Sequence, residues 1–273
     1  MSSTLEFNVF SSPGKPIHGE RPLSLGEAMS WDPMTATVIY GNREAILVDT
    51  LTTVREAESL ASWIKLHNRQ LTTIYITHGH LDHFGGLCVL RHHFPEVQAI
   101  ATPGTVEFAR TQSPDAYRSM FPGQMPTSID YPEAYADGSI WLEGHELKII
   151  KQGRTDSPDS TSLYVPDLDL VVAGDVVYNK CHQFVAQTTP ESRANWISAL
   201  DALSALEPTT VVAGHKKPGA SDHPECIEET KNYLIDFGRL QDSGTTKREL
   251  FESMVDLYPD HAGRQSWLLF GLA

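Results

Sequence analysis

Residues 35–50, TATVIYGNREAILVDT, hold two β-rich runs separated by Gly41 and Asn42. Both residues tolerate positive φ, so the stretch predicts a β-hairpin. Downstream, VREAESLASWIKLHN (54–68) places Ala57, Leu60, Ala61, Ile64 and Leu66 at mostly helical spacing, and TTIYIT (72–77) follows as a short apolar strand. A second unit repeats the pattern, with a helix expected over 85–94 and a strand at VQAIAT (97–102). Strands alternating with helices predict parallel pairing in this half.

Residues 105–140 break the pattern. They are Pro-rich, with a helix expected near 106–110 and then Met120, Phe121, Met125, Tyr131 and Tyr135 in irregular order. They are read as an inserted cap outside the core sheet, either a lid or a surface loop with a small satellite cluster. Strand signals return as LKIIKQ (147–152), TSLYVP (161–166), LDLVVAGD (168–175) and TTVVAGH (209–215), with a long helix at 190–206 between the last two. Two amphipathic helices are expected at 226–240 and 247–257, the second capped from SGTT (243–246). Two strand-rich halves with helices outside predict a single α/β domain over 1–273, a four-layer αβ/βα sandwich with a C-terminal helical segment at 223–273. The apolar end, SWLLFGLA (266–273), suits core closure.

The acidic excess, 35 Asp and Glu against 21 Lys and Arg, gives a net charge of −14 spread along the chain. It argues against nucleic acid or an anionic membrane as main partner and leaves a small-molecule substrate. Cys88, Cys181 and Cys226 match neither a disulfide framework nor a zinc knuckle. No stretch approaches the ~20 apolar residues of a membrane span, and MSSTLEFNVFSSPGK lacks a leader pattern. A cytoplasmic, reducing location is expected.

The densest chemistry lies at Thr77-His78-Gly79-His80-Leu81-Asp82-His83, leaving one predicted strand and preceding Gly85-Gly86. Imidazole and carboxylate are the donors zinc and related divalent ions favour, and a loop leaving a strand end aims them into one crevice. Asp175, after LVVAG, and His215, after VVAG, stand at further strand ends. Alone, the first reads as a turn residue and the second as a hydrogen-bonded bystander. In open α/β sheets, however, strand ends gather at one place, and the three signals converge there.

These residues resemble the metallo-β-lactamase superfamily, whose H-x-H-x-D-H hallmark is matched by His78, His80, Asp82 and His83. Asp49 in AILVDT, Asp175 and His215 match its early acidic residue, metal-bridging Asp and late His in order and setting, over about residues 35–220. The resemblance implies the sandwich fold and two divalent metal ions, zinc by default with manganese or iron as alternatives. It departs in one place. The family's third ligand to the first ion is a His, and GRTDSPDSTSLYVPDLDLVVAGD has none. Aligning the Pro166 turn and Asp175 puts Asp156, 19 residues before Asp175, in that position. Matching Gly153-Arg154-Thr155 puts Arg154 there instead, a guanidinium that cannot ligate a cation.

With Asp156, the resemblance implies that His78, His80 and Asp156 hold one ion, Asp82, His83 and His215 the other, and that Asp175 bridges them. Asp49 would brace the histidine loop from behind, Asp82 would shuttle the proton, and a metal-bound hydroxide would attack the carbonyl of a small cyclic amide or ester. No G-x-S-x-G elbow offers a rival nucleophile. Tyr178, Asn179 and His182 follow Asp175 and are expected to face the substrate, His182 reading equally as an ordinary surface histidine, while Met120, Phe121 and the tyrosines of the insert form either an apolar wall or the cap's own packing. Three activities compete: a lactamase or lactonase; a glyoxalase-II-type thioesterase, for which Lys216 and Lys217 are the nearby cations; and a mononuclear iron oxygenase or a scaffold without chemistry.

Overall fold

The computed structural model describes residues 4–19, 28–185, 188–264 and 267–270. One curled sheet runs in the order Glu133–Ala134, Gln98–Ala101, Gln70–Tyr75, Glu44–Val48, Met34–Tyr40, Thr210–Lys216, Leu170–Asn179, Ser160–Val165, His145–Gly153 and Ser139–Leu142. Strand Glu6–Ser12 pairs with Met34–Tyr40 off this path. The expected hairpin forms, with Tyr40 opposite Ala45 and the turn between them. Parallel pairing links Glu44–Val48, Gln70–Tyr75 and Gln98–Ala101.

Alternation along the strands builds two cores. Ile46, Val48, Tyr75, Leu163, Leu170, Val172 and Val212 fill the space between the two half-sheets. Their neighbours Ala45, Leu47, Ile74, Val171, Ala173 and Val211 turn outward beneath helices Val54–Lys65, Leu87–His93, Pro190–Ser204 and Glu225–Asp242. This is the four-layer order the sequence predicts. Helix Lys247–Leu257 starts at Thr246, whose hydroxyl accepts the Glu249 amide at 3.2 Å while Glu249 bonds back to Thr246. Among the described residues, no helix is long and apolar enough to cross a membrane.

Two features differ from the sequence reading. The segment 105–140 is not wholly outside the sheet: Glu133–Ala134 extends its edge beside Gln98–Ala101. Two residues carry too little periodicity to announce a strand. Asp175 lies inside the strand Leu170–Asn179 and not after it, because the register against Thr210–Lys216 shifts between Gly174 and Tyr178. That bulge re-aims Asp175, and Gly174 with φ +56 permits it, since a Cβ there would come within 2.7 Å of Thr77 Oγ1.

The half-sheets meet at the site. Strands Met34–Tyr40 and Thr210–Lys216 share a single register pair, His215 opposite Met34. Across the other side of the sandwich, the Thr161 amide and hydroxyl both donate to the Thr77 carbonyl, at 3.0 and 2.6 Å. Trp196 locks the outer helix of the second half, fully buried with its indole N–H on the Val176 carbonyl at 2.8 Å. Trp196→Ala is expected to cost about 3–5 kcal/mol of stability, read as a lowered urea midpoint; an unchanged midpoint would remove this anchor from the account.

Candidate functional site

The motif loop takes its shape from close packing. His80 precedes the one-turn helix Leu81–Phe84 in extended conformation. A Cβ on Gly79 would meet the Ala109 amide and Phe108 at 2.8 Å, so only glycine lets helix Pro103–Ala109 approach this closely. Asp49, with φ 62, stands beneath the loop in a conformation costly for a non-glycine residue. Three hydrogen bonds hold it: Oδ1 accepts the Thr77 amide at 2.9 Å, and Oδ2 accepts the Thr77 hydroxyl at 2.9 Å and His83 Nδ1 at 2.8 Å. Asp49 thus joins the strand end to the motif loop through Thr77 and His83.

Three imidazoles are oriented from behind in the same way. His83 Nδ1 donates to Asp49. His78 Nδ1 lies 3.1 Å from Thr77 Oγ1, which has already given its proton to Asp49 and so accepts. His215 Nδ1 donates to the Pro33 carbonyl at 3.1 Å. Each ring therefore turns Nε2 toward the centre, where that of His78 also lies 3.0 Å from His80 Nδ1.

Seven buried side chains converge there in two groups. One comprises His78, His80, Asp156 and Asp175, the other Asp82, His83 and His215. Asp175 faces both: Oδ2 lies 3.7 Å from His78 Nε2 and 3.3 Å from His215 Nε2, and Oδ1 lies 3.2 Å from His83 Nε2. Asp156 Oδ2 lies 3.2 Å from His80 Nδ1, while its Oδ1 is held by the Thr155 hydroxyl at 2.9 Å. Arg154, the alternative at that position, is exposed. Asp82 Oδ2 lies 3.6 Å from His215 Nε2, and Oδ1 receives the Tyr117 hydroxyl at 3.5 Å.

Despite these short separations, His80 Nε2, His83 Nε2, His215 Nε2, Asp156 Oδ2 and Asp175 Oδ1 are buried without a hydrogen-bond partner. Atoms 3.2–3.3 Å apart that do not bond one another are aimed at common points between them. Burial opposes charge on these groups, yet Asp175 and Asp82 outweigh it at His215 and push it up to about 10. Likewise, burial is outweighed at Asp175 by His215, His83 and His78, which hold it well below the usual carboxylate range. Burial, followed by His83, pushes His78 down to about 4. The donor set fits divalent cations, and this carboxylate-rich cluster calls for positive charge.

The expected substrate contacts need correcting. Tyr178 is buried behind the cluster, its ring stacked on His215 at 5.5 Å and backed by Trp196, its hydroxyl donating to Asp175 Oδ2 at 3.1 Å. Asn179 donates to the Ser221 carbonyl at 2.8 Å. His182, 1% exposed, has its Nδ1 3.0 Å from the Tyr233 hydroxyl and its ring against His261. Closeness to Asp175 in sequence misleads because the bulge turns the following residues into the protein. Phe121 is fully buried against Trp31. The residues missed are Thr77, legible as the strand-end neighbour of the motif, and Tyr117, Trp31 and Trp267, which carry no local signal.

A family model described as metallo-beta-lactamase superfamily matches residues 29–215. A relative named Metallo-beta-lactamase type 2, from Bacteroides fragilis, is 25% identical over 218 residues, 78% of this chain and 80% of that protein. A hydroxyacylglutathione hydrolase from Vibrio cholerae is 41% identical over only 44 residues, 16% of this chain and 18% of that protein. A solved metallo-beta-lactamase from Pontibacter korlensis superposes with a TM-score of 0.60 at 20% identity, covering 85% of this chain and 99% of that one, a likeness of fold.

Burial, then His261, pushes His182 down to about 3, and burial, then Lys180, pushes His261 down to about 4. Unfolded, both titrate near 6.5, so the folded state binds fewer protons. Their contribution is complete above pH 6.5 and is lost as pH falls toward about 4 for His261 and about 3 for His182. The melting temperature is expected to drop between pH 7.5 and 4.5, and less steeply in His182→Gln; equal slopes would remove His182 from this effect.

Proposed function

The chain belongs to the metallo-β-lactamase superfamily and is a metal-dependent hydrolase, and from that premise we propose that its substrate is a small cyclic amide or ester, opened as by a lactamase or lactonase. In this reading His78, His80 and Asp156 would hold one divalent ion and Asp82, His83 and His215 a second, with Asp175 facing both groups. The observation that carries it is the set of unpartnered buried nitrogen and oxygen atoms facing common points, with the two oxygens of Asp175 turned to both groups. When bound, such ions supply Lewis acidity toward a carbonyl and acidify water to near neutrality.

The chain's own residues complete the reaction. Burial is outweighed by His83 and His215 at Asp82, whose carboxyl is held far below the usual range and is ionised at neutral pH. Asp82 Oδ2 is then the proton acceptor, passing the proton to the leaving group as it departs. Burial, then Asp175, pushes the Tyr178 hydroxyl well up, so it remains a hydrogen-bond donor that keeps Asp175 Oδ2 oriented. Zinc is the ion proposed. The extra carboxylate of Asp156 makes manganese and iron stronger competitors than three imidazoles would.

The thioesterase reading is left with Lys217 as its nearby cation, since the charge of Lys216 is paired with Asp222 at 2.7 Å. The acidic chain favours a small substrate over a polyanion. Three free cysteines and no helix able to span a membrane, among the described residues, support the proposed cytoplasmic location.

Asp175→Ala is expected to abolish turnover on a panel of lactams, lactones and acyl thioesters followed by pH drift, with circular dichroism unchanged. Retained activity in that variant sinks the bridging role. In metal analysis, Asp156→Ala is expected to lose bound ion and Arg154→Ala to keep it; the reverse pattern reassigns the position. Asp49→Ala, which releases Thr77 and His83, is expected to weaken zinc affinity about 10–100-fold in competition with a chromogenic chelator.

A further inference from the structure

An arc of aromatic rings borders the cluster. His80 is the most exposed of the seven converging residues, at 8%, and marks the mouth. Its ring is flanked by Phe108 at 5.5 Å and Phe184 at 5.7 Å, both half-buried. Phe184 continues to Trp267 at 5.2 Å, which packs against His215 at 5.3 Å and Trp31 at 4.4 Å. Trp31 meets Tyr117 at 5.6 Å, and the Tyr117 hydroxyl returns the arc to Asp82. The arc thus touches residues of both groups, from His80 through His215 to Asp82.

Its far side comes from a segment beyond the family match, which ends at residue 215. That segment is latched beside the site: the Ala262 amide donates to the Lys180 carbonyl at 2.9 Å, the His182 amide to the Ala262 carbonyl at 2.7 Å, and Lys217 Nζ to the Asp260 carbonyl. Trp267 follows five residues later. The buried rings brace one another, while Phe108 and Phe184 keep surface open on either side of His80. The lysines that follow His215 are engaged with Asp222 and the Asp260 carbonyl, so among the described residues the arc offers the faces and edges of rings.

We propose that Phe108 and Phe184, the latter backed by Trp267 and through it by Trp31, receive an aryl substituent of the substrate, so that the preferred substrate is an uncharged cyclic ester or amide carrying an aromatic group. This rests on the hydrolase reading above. Half-burying a phenyl ring against such a surface is worth about tenfold in binding. Phe108 and Phe184 are then specificity residues, and the C-terminal latch is the positioning device for their support.

The test compares γ-phenyl-γ-butyrolactone with γ-butyrolactone on the zinc-loaded full-length protein, and, by calorimetry, the non-hydrolysable ketones 3-phenylcyclopentanone and cyclopentanone. The phenyl lactone is expected to have about tenfold higher kcat/KM, mainly through KM, and the phenyl ketone a correspondingly lower Kd. Phe184→Ala and Phe108→Ala are expected to erase most of both preferences, and Phe184→Tyr to retain them, with folding checked by circular dichroism. Equal Kd values for the two ketones, or preferences unchanged in both alanine variants, overturn the proposal. If neither lactone is opened but the ketone preference holds and depends on Phe184, the lactone-opening reading falls and the aryl site stands.

Discussion

Four carboxylates, Asp49, Asp82, Asp156 and Asp175, are buried together with four imidazoles, and every one of the eight is less than 9% exposed. An ion withdrawn from water costs several kcal/mol unless its charge is met. Asp49 meets part of its need from Thr77 and His83. Asp156 and Asp175 each leave one oxygen without a hydrogen-bond partner beside the unpartnered Nε2 atoms of His80, His83 and His215, an arrangement suited to added positive charge. The same electrostatic demand that would penalise an empty cluster gives the proposed ions their binding energy.

The sheet exists around that demand. Its two halves touch through His215 and Met34 at one seam and through Thr161 and Thr77 at another. Both seams deliver cluster residues. Closing the sandwich over Ile46, Val48, Leu163, Val172 and Val212 therefore brings the donors of the two halves together without any loop having to reach far. With Asp156 in place, each group presents two imidazoles and one carboxylate of its own, with Asp175 between them. The proposed pair of sites is more symmetric, and harder, than one built with a third imidazole.

Periodicity gave the elements that carry many consecutive apolar positions: the hairpin around Gly41, helix Val54–Lys65, helix Pro190–Ser204 and the two C-terminal helices. It was silent on Glu133–Ala134, where two exposed residues join an edge, and on the bulge at Asp175, which breaks register without changing composition. The motif His78 to His83 was legible because four donors lie within six residues. Asp156 was legible only as one of two registers, and nothing local separates a buried aspartate from an exposed arginine two residues earlier. The placements expected for Tyr178 and His182 failed for a related reason: a bulge reverses which residues face outward.

By itself the sequence determined the layered α/β architecture and showed the motif loop His78 to His83 leaving a strand. Those signals are local, since they depend on alternation and on residue type at a strand terminus. Only the tertiary structure decided that Asp156 enters the cluster while Arg154 faces solvent, that Tyr178 supports Asp175 from behind, and that Trp31 and Trp267, 236 residues apart, share a 4.4 Å ring contact beside His215. Such contacts arise where separate elements pack, and packing is set by the fit of whole surfaces, which no short stretch of chain encodes.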